Sequence, residues 1–319
     1  MSMGFAFDVT LLGLIVAVAV WTLAARASFA AVIGFVVYGL LLTLAWVRLG
    51  AVDVALTEAA IGAGLTGVLL IGAVQRLRPA EKATEAAARA ARSSVALQVV
   101  AALLATAVTL ALAAAVLTLP EPAPTLAPPV MQHIASTGLG NPVTAVLLSF
   151  RALDTLLEAV VIIFAVIGVW SLTPDAVWGG CPGPRQQADP NGTLAFLARL
   201  LAPLGVVVAV YLLWVGADLP GGKFQAATVL AAMWLLTQMA GLAAPPAVGR
   251  RWLRVTVVAG AAVFLLIGFA GIPLAGAFLA YPPALAKPLI VVIEAALTVS
   301  IAAALCLLLL GPANRPEIT

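Results

Sequence analysis

Charge is what this chain has least of: Asp, Glu, Lys and Arg make up 9% of its 319 residues, against 64% hydrophobic residues. With a mean hydropathy of +1.16, it cannot coat itself with polar side chains as a soluble domain does, where charged residues are about 25%. The sequence is that of an integral membrane protein. It has a single histidine, His133, and two cysteines, Cys181 and Cys306. Cys306 lies in an apolar run and Cys181 in a Pro/Gly loop, which argues against a metal cluster and against a disulfide framework. His133 falls in a Pro-rich segment and reads as a loop-surface residue. The net charge of +3 is too small for a nucleic-acid-binding surface. HExxH, GxSxG and Walker motifs are missing, which disfavours a protease, hydrolase or ATPase. GAGLTG at 62–67 has the letters of a dinucleotide loop, but it follows an apolar membrane run where the motif needs a strand. No cofactor is implied. Asn191-Gly192-Thr193 spells a glycosylation sequon on the side expected to be cytoplasmic, where it would be idle.

Long apolar runs are abundant. Nine are long enough to cross a hydrocarbon core of about 20 helical residues: 9–26, 29–48, 51–74, 95–119, 153–172, 196–216, 224–243, 253–272 and 288–310. The runs are continuous and do not alternate, which rules out a β-barrel, so the expected fold is an all-α polytopic bundle. The first run has no basic stretch before it and no small-residue cleavage site, and reads as an uncleaved span. Arg76, Arg78, Lys82, Arg89 and Arg92 cluster between the third and fourth runs and place that loop in the cytoplasm. Alternation then puts Arg26, Arg185, Arg250, Arg251, Arg254 and Arg315 on the same side. The Pro-rich segment 120–142 falls outside, the N-terminus outside and the C-terminus inside. Lys223 and Lys287 are exceptions, each at an outer helix start.

Three glutamates sit within these apolar runs: Glu58, Glu158 and Glu294. A charge at the bilayer centre costs roughly 3 kcal/mol or more, so intramembrane acids read as functional by default. All three enter from the outer side, at roughly 10 Å depth given a rise of 1.5 Å per residue. Arg151, Asp154 and Glu158 share a helix face, so the arginine can neutralise one acid and leave the other free to exchange a proton. Asp53 and Glu58 point about 140° apart on a helix and form no dyad. Asn141 and Pro142 look like an N-cap and first-turn pair, which starts the Glu158 helix early and requires a tilt or break near Arg151. Gly62, Gly64 and Gly67, with Ala59, Ala60 and Ala63, make one side of the third span small enough for close helix contact in lipid.

Three stretches resemble subunits of Mrp-type cation/proton antiporters and the related membrane-bound hydrogenases, whose membrane arms are kin to respiratory complex I. AVDVALTEAAIGAGLTGVLL at 51–70 is similar to the MbhD segment. GNPVTAVLLSFRALDTLLEAVVIIFAVIGV at 140–169 is similar to MbhE, with an R-x-x-D-T-x-x-E core at Arg151, Asp154, Thr155 and Glu158. RLLAPLGVVVAVYLLWVGADLPGGKFQAATVLAA at 199–232 resembles MnhB (MrpB), whose outer loop reads close to H-G-H-x-x-P-G-G-G-F-Q. Here Gly216 and Asp218 leave that loop without its usual histidines, and Lys223 replaces the third glycine. The resemblance implies three modules: 1–94 MbhD-like, with three helices; 95–193 MbhE-like, with two; and 194–319 MnhB-like, with four.

It further implies a multi-pass plasma-membrane subunit of a Na+/H+ antiporter complex, with other Mrp-type or complex I-like subunits as partners, a large antiporter subunit among them. Na+ and H+ are the implied ions. The candidate translocation residues are Glu58, Glu158, Asp154, Arg151 and Asp53, which fall in the resembling stretches, and Glu294, onto which no family role is carried. The loop with Asp218, Pro220, Gly221, Gly222, Phe224 and Gln225 is expected to be a structured outer turn that docks a partner and caps the next helix. The alternatives are a scaffold subunit of a hydrogenase-like assembly and a stand-alone secondary transporter. Transporters of the latter kind usually show internal repeats, whereas this chain parses into three, two and four unlike helices.

Overall fold

The computed structural model describes residues 3–77, 95–122, 124–183, 189 and 191–316. Arg78, Lys82, Arg89 and Arg92 of the expected cytoplasmic loop, and Arg185, lie outside the described residues. Eight described helices are long and apolar enough to cross a membrane. They are α1 Met3–Ala24, α2 Ser28–Arg48, α3 Val52–Leu77, α4 Val95–Leu117, α7 Ala152–Ser171, α8 Thr193–Val215, α10 Arg251–Ala275 and α11 Ala286–Leu310. Between α4 and α7 come the short α5, Ala127–His133, and α6, Pro142–Ala145.

The seventh expected span, 224–243, is the shorter α9, Lys223–Met239, of 17 residues. At 1.5 Å per residue it reaches roughly 26 Å, less than a hydrocarbon core of about 30 Å. Its end is set by Gly241, in a left-handed conformation (φ 71°), with Leu242 N–H donating back to the Thr237 carbonyl at 3.0 Å; the pattern closes a helix. Lys223, Gln225 and Gln238 of α9 are buried, so this helix lines protein more than lipid.

α11 is the axis of the bundle. It is buried along most of its length and packs against α10, α9 and α7, with Phe264, Ile290, Ile293 and Leu297 fully enclosed. α1, α2 and α3 form a second layer. Gly34 lets α2 approach α1 closely, since a Cβ there would sit 2.7 Å from the Trp21 ring; small residues take this role in lipid, where the hydrophobic effect does not drive helices together. An ion pair from Arg48 to Asp8, 2.7 and 2.9 Å, closes the α1–α2 hairpin. α4 has no buried residue in the chain itself.

The helix ends expected on the outer face gather together: the starts of α3, α6, α9 and α11 and the end of α8 are joined by hydrogen bonds that Asn141, Gly221 and Lys287 donate, with Asp53, Asp218 and the Leu219 carbonyl accepting. On the other face a two-stranded ribbon pairs β1, Cys181–Pro182, with β2, Ala313–Arg315. If the orientation follows the arginine asymmetry, single cysteines at Thr84 and Leu126, in a chain with Cys181 and Cys306 changed to alanine, will label from opposite sides of the membrane. Labelling from one side contradicts the topology.

Candidate functional site at the outer helix junction

Two of the three acid-bearing segments, α3 and the α6–α7 stretch, depart from regular α geometry, whereas α11 is continuous. Asn141 caps α6 by accepting from Val143 N–H at 2.8 Å, with Pro142 in the first turn. A π-helical turn, Val146–Phe150, follows, and the chain breaks at Arg151 (φ −129°, ψ 38°) before α7 begins. That break frees the Leu147 carbonyl, which the Thr155 hydroxyl satisfies at 2.6 Å; a carbonyl left unpaired at this depth would be costly. α3 carries a second π-helical stretch, Glu58–Leu65, in which the Thr66 hydroxyl donates to the Ile61 carbonyl at 2.9 Å. Interruptions of this kind concentrate at functional sites.

The segment between α8 and α9 is fixed from three directions. The Ala217 carbonyl accepts from Gly140 N–H (3.0 Å) and Asn141 N–H (3.1 Å), and the Gly216 carbonyl from the Thr144 hydroxyl at 2.6 Å. Gly221 N–H donates to Asp53 at 3.0 Å, and the Asn141 amide lies 3.4 Å from both Asp53 oxygens. Lys287 holds Asp218 at 2.7 and 2.8 Å. The Lys287 ammonium keeps the Asp218 carboxyl below the usual carboxylate range, against the opposing effect of burial and with help from Gly140 N–H. A lowered carboxyl pKa contributes stability above the unfolded value and loses it only as pH falls through the folded one, so this clasp is constant through the neutral range. The loop expected to dock a partner thus engages this chain's own α3, α6 and α11. The N-cap of α9 is Gly222, within this loop; it offers no side chain, and the Glu294 carboxylate of α11 faces the Lys223 N–H.

Beneath this loop lies a cavity of about 260 Å³, lined by Asp53, Thr57, Glu158, Lys223, Gln225 and Glu294 among others. Glu294 is 2% exposed and Lys223 4%. The ammonium of Lys223 stands 4.6 Å from the centroid of the Phe224 ring and interacts with both Glu158 and Glu294 through space. Gln225 donates to the Thr57 hydroxyl at 3.1 Å. One oxygen of Glu294, Oε2, is buried with no hydrogen-bond partner among the described residues.

Of the residues singled out in the sequence, Asp53, Glu158, Glu294, Gly221, Gly222, Phe224 and Gln225 meet around this cavity. Asp218 and Pro220 sit above it, lining an adjoining hollow with Asp53 and Asn141. Glu58 is elsewhere: its carboxyl folds over Gly62 and faces Gly39 of α2, where a Cβ would lie 3.1 Å from Oε1. Arg151 and Asp154 form an ion pair of 2.6 Å on the outside of α7, with side chains 71% and 52% exposed. Glu294 has no basic neighbour one helical turn away in sequence, yet it has Lys223 beside it in space. Lys223 is the site residue that sequence reasoning missed. Its signal was a lysine directly after Pro-Gly-Gly, at a helix start on the side poor in basic residues.

Two family models match parts of this chain. Residues 13–79 match the MbhD family model, a component of MBH, and residues 193–312 the one described as a domain related to the MnhB subunit of the Na+/H+ antiporter. Curated proteins give no match. Among solved structures, a chain of the Mrp complex from Dietzia sp. DQ12-45-1b is similar at a TM-score of 0.70 and 24% identity, over 97% of this chain and 35% of that chain. A chain of the membrane-bound sulfane sulfur reductase, an archaeal respiratory membrane complex, is similar at a TM-score of 0.53 and 21% identity, over 68% of this chain and 99% of that chain. The present chain therefore spans about a third of the length of the Mrp-complex chain, and the likeness to both is one of fold.

Proposed function

For a chain that matches the MbhD model in its first part and an MnhB-related domain in its last, we propose that it is an Mrp- and Mbh-type membrane subunit with a place in a multisubunit Na+/H+ antiporter complex of the plasma membrane. In that complex its cavity carboxylates take part in ion and proton translocation. The carrying observation is the cavity itself: acids from α3, α7 and α11 and a buried lysine from α9 line one space. On the sequence division these elements come from the MbhD-like (1–94), MbhE-like (95–193) and MnhB-like (194–319) modules, so the site exists only when all three are folded together.

Glu158 and Glu294 have different roles in this reading. Glu294 is enclosed, whereas Glu158 is exposed on the free chain and lies on α7 one turn beyond the Arg151–Asp154 pair. Charged groups facing hydrocarbon are costly, so this side of α7 is where another membrane subunit packs. Glu158 then receives an ion or proton at that boundary and Glu294 holds it inside. Asp154 neutralises Arg151 and keeps the boundary assembled, since leaving one member of such a pair uncompensated is strongly unfavourable once it is covered. Glu58, between α2 and α3, belongs to a separate polar position.

A second reading, a scaffold subunit in a redox-driven complex, is favoured by the likeness to the sulfane sulfur reductase chain. Purification of the tagged chain in mild detergent, with identification of every co-purifying subunit, separates the two. The antiporter reading expects large antiporter-type membrane subunits and no iron–sulfur proteins; co-purifying iron–sulfur subunits would replace it with the redox one.

A further inference from the structure

Lys223 is an unusual residue to find enclosed. It is 4% exposed and is the first residue of α9, the helix end where the backbone dipole disfavours a cation. Its ammonium makes no ion pair at contact distance among the described residues. What offsets these costs is the attraction of two carboxylates, Glu158 and Glu294, acting through space, together with the Phe224 ring 4.6 Å from the ammonium. Glu158 approaches from α7, Glu294 from α11 and Asp53 from α3, while Thr57 and Gln225 complete the wall.

Two acceptor oxygens converge beside Gly222, where a Cβ would lie 3.3 Å from Glu294 Oε1 and 3.7 Å from Gln225 Oε1. The other Glu294 oxygen, buried and unpartnered among the described residues, gives the site an unused ligand. Oxygen donors of this kind suit hard cations. A volume of about 260 Å³ exceeds the roughly 30 Å³ share of one water, which leaves room for an ammonium or for a partly hydrated small cation.

We propose that the Lys223 ammonium is a tethered cation filling a monovalent-cation site made by Glu158, Glu294 and the Asp53–Thr57–Gln225 wall, so that it excludes Na+ and leaves H+ as the mobile ion of this cavity. The proposal deepens the translocation reading and rests on it for its functional meaning, but it makes a binding statement of its own. Removing the ammonium leaves clustered carboxylates uncompensated at low dielectric, and a free cation of the same charge takes its place.

The test uses the detergent-solubilised complex purified through a tag on this chain, at alkaline pH, in NaCl or in choline chloride at equal ionic strength. The readout is the fraction of this chain lost to aggregation after heating. The wild type is expected to behave alike in both salts. Lys223→Ala is expected to be protected by Na+, with losses at least about threefold smaller than in choline, as a ligand that binds only the folded state protects it. Adding Glu294→Gln to Lys223→Ala should abolish the protection. Lys223→Gly is the parallel variant should alanine impair assembly.

The proposal is overturned if neither variant distinguishes Na+ from choline, or if the wild type shows the same Na+ protection. It is equally overturned if acidification protects the variants and Na+ does not, because protons alone then neutralise the cavity, or if both variants fail to assemble even with Na+ present throughout. Loss of the translocation reading would look different: unaltered exchange in carboxylate variants, with the Na+ protection of Lys223→Ala intact.

Discussion

Replacing Gly221 and Gly222 together with valine will abolish assembly of this chain into the proposed complex while leaving it inserted in the membrane. Gly222 has φ 122° and ψ −170°, a conformation essentially confined to glycine, and forcing a β-branched residue into such a region costs roughly 1–3 kcal/mol. At Gly221 a Cβ would lie 2.5 Å from the Leu212 carbonyl oxygen, so the end of α8 must move. That movement breaks the bond from Gly222 N–H to the same carbonyl, 2.9 Å, and the one from Gly221 N–H to Asp53, 3.0 Å. The two replacements together remove several kcal/mol from a fold whose total stability is about 5–15 kcal/mol. Insertion depends on the apolar runs, which are untouched. Native electrophoresis of solubilised membranes, with the chain detected in total membranes as the reference, reads both quantities. A wild-type amount of complex would contradict the view that this loop joins the three modules.

The all-α membrane bundle is legible in the apolar runs because lipid leaves the backbone few alternatives to a helix. The early helix start is legible too, since Asn141-Pro142 is a local signal, and the interruption at Arg151 follows from the length of the segment it begins. The spatial grouping of the acids is less so. Spacing along one helix shows that Arg151 and Asp154 can pair, but not that Glu158 on α7, Lys223 on α9 and Glu294 on α11 surround one cavity, because those residues meet only through packing of distant segments. For the same reason three glutamates at similar expected depth read alike in sequence, although Glu58 faces Gly39 of α2 and stands apart from the other two. The 17-residue length of α9 was hidden by the apolar residues that follow Gly241. The π-helical turns beside Glu58 and before Arg151 have no sequence signal that periodicity can detect.

The second large effect concerns the carboxylates themselves. Glu158→Gln and Glu294→Gln preserve size and hydrogen-bonding capacity but remove the ability to carry a charge or release a proton. Glutamine at either position removes only through-space attraction to Lys223, which the remaining acids of the cavity still supply, so both variants are expected to assemble. Each should lower Na+/H+ exchange at least about tenfold, a lower bound set beneath the roughly hundredfold or greater effect of losing a positioned proton-transfer group. Asp154→Asn should behave in the opposite way, reducing assembly by leaving Arg151 uncompensated where a partner covers it. Glu58→Gln, outside the cavity, measures whether the α2–α3 position forms part of the same route.

The most direct measurement is Na+-driven proton movement in inverted membrane vesicles carrying equal amounts of complex with wild-type, Glu158→Gln or Glu294→Gln chain, followed from pH 6 to 9. The account predicts full assembly with exchange reduced at least about tenfold in both variants across the range. Two variants that assemble and exchange at the wild-type rate throughout would contradict it and leave the chain as a scaffold whose cavity acids only brace the junction.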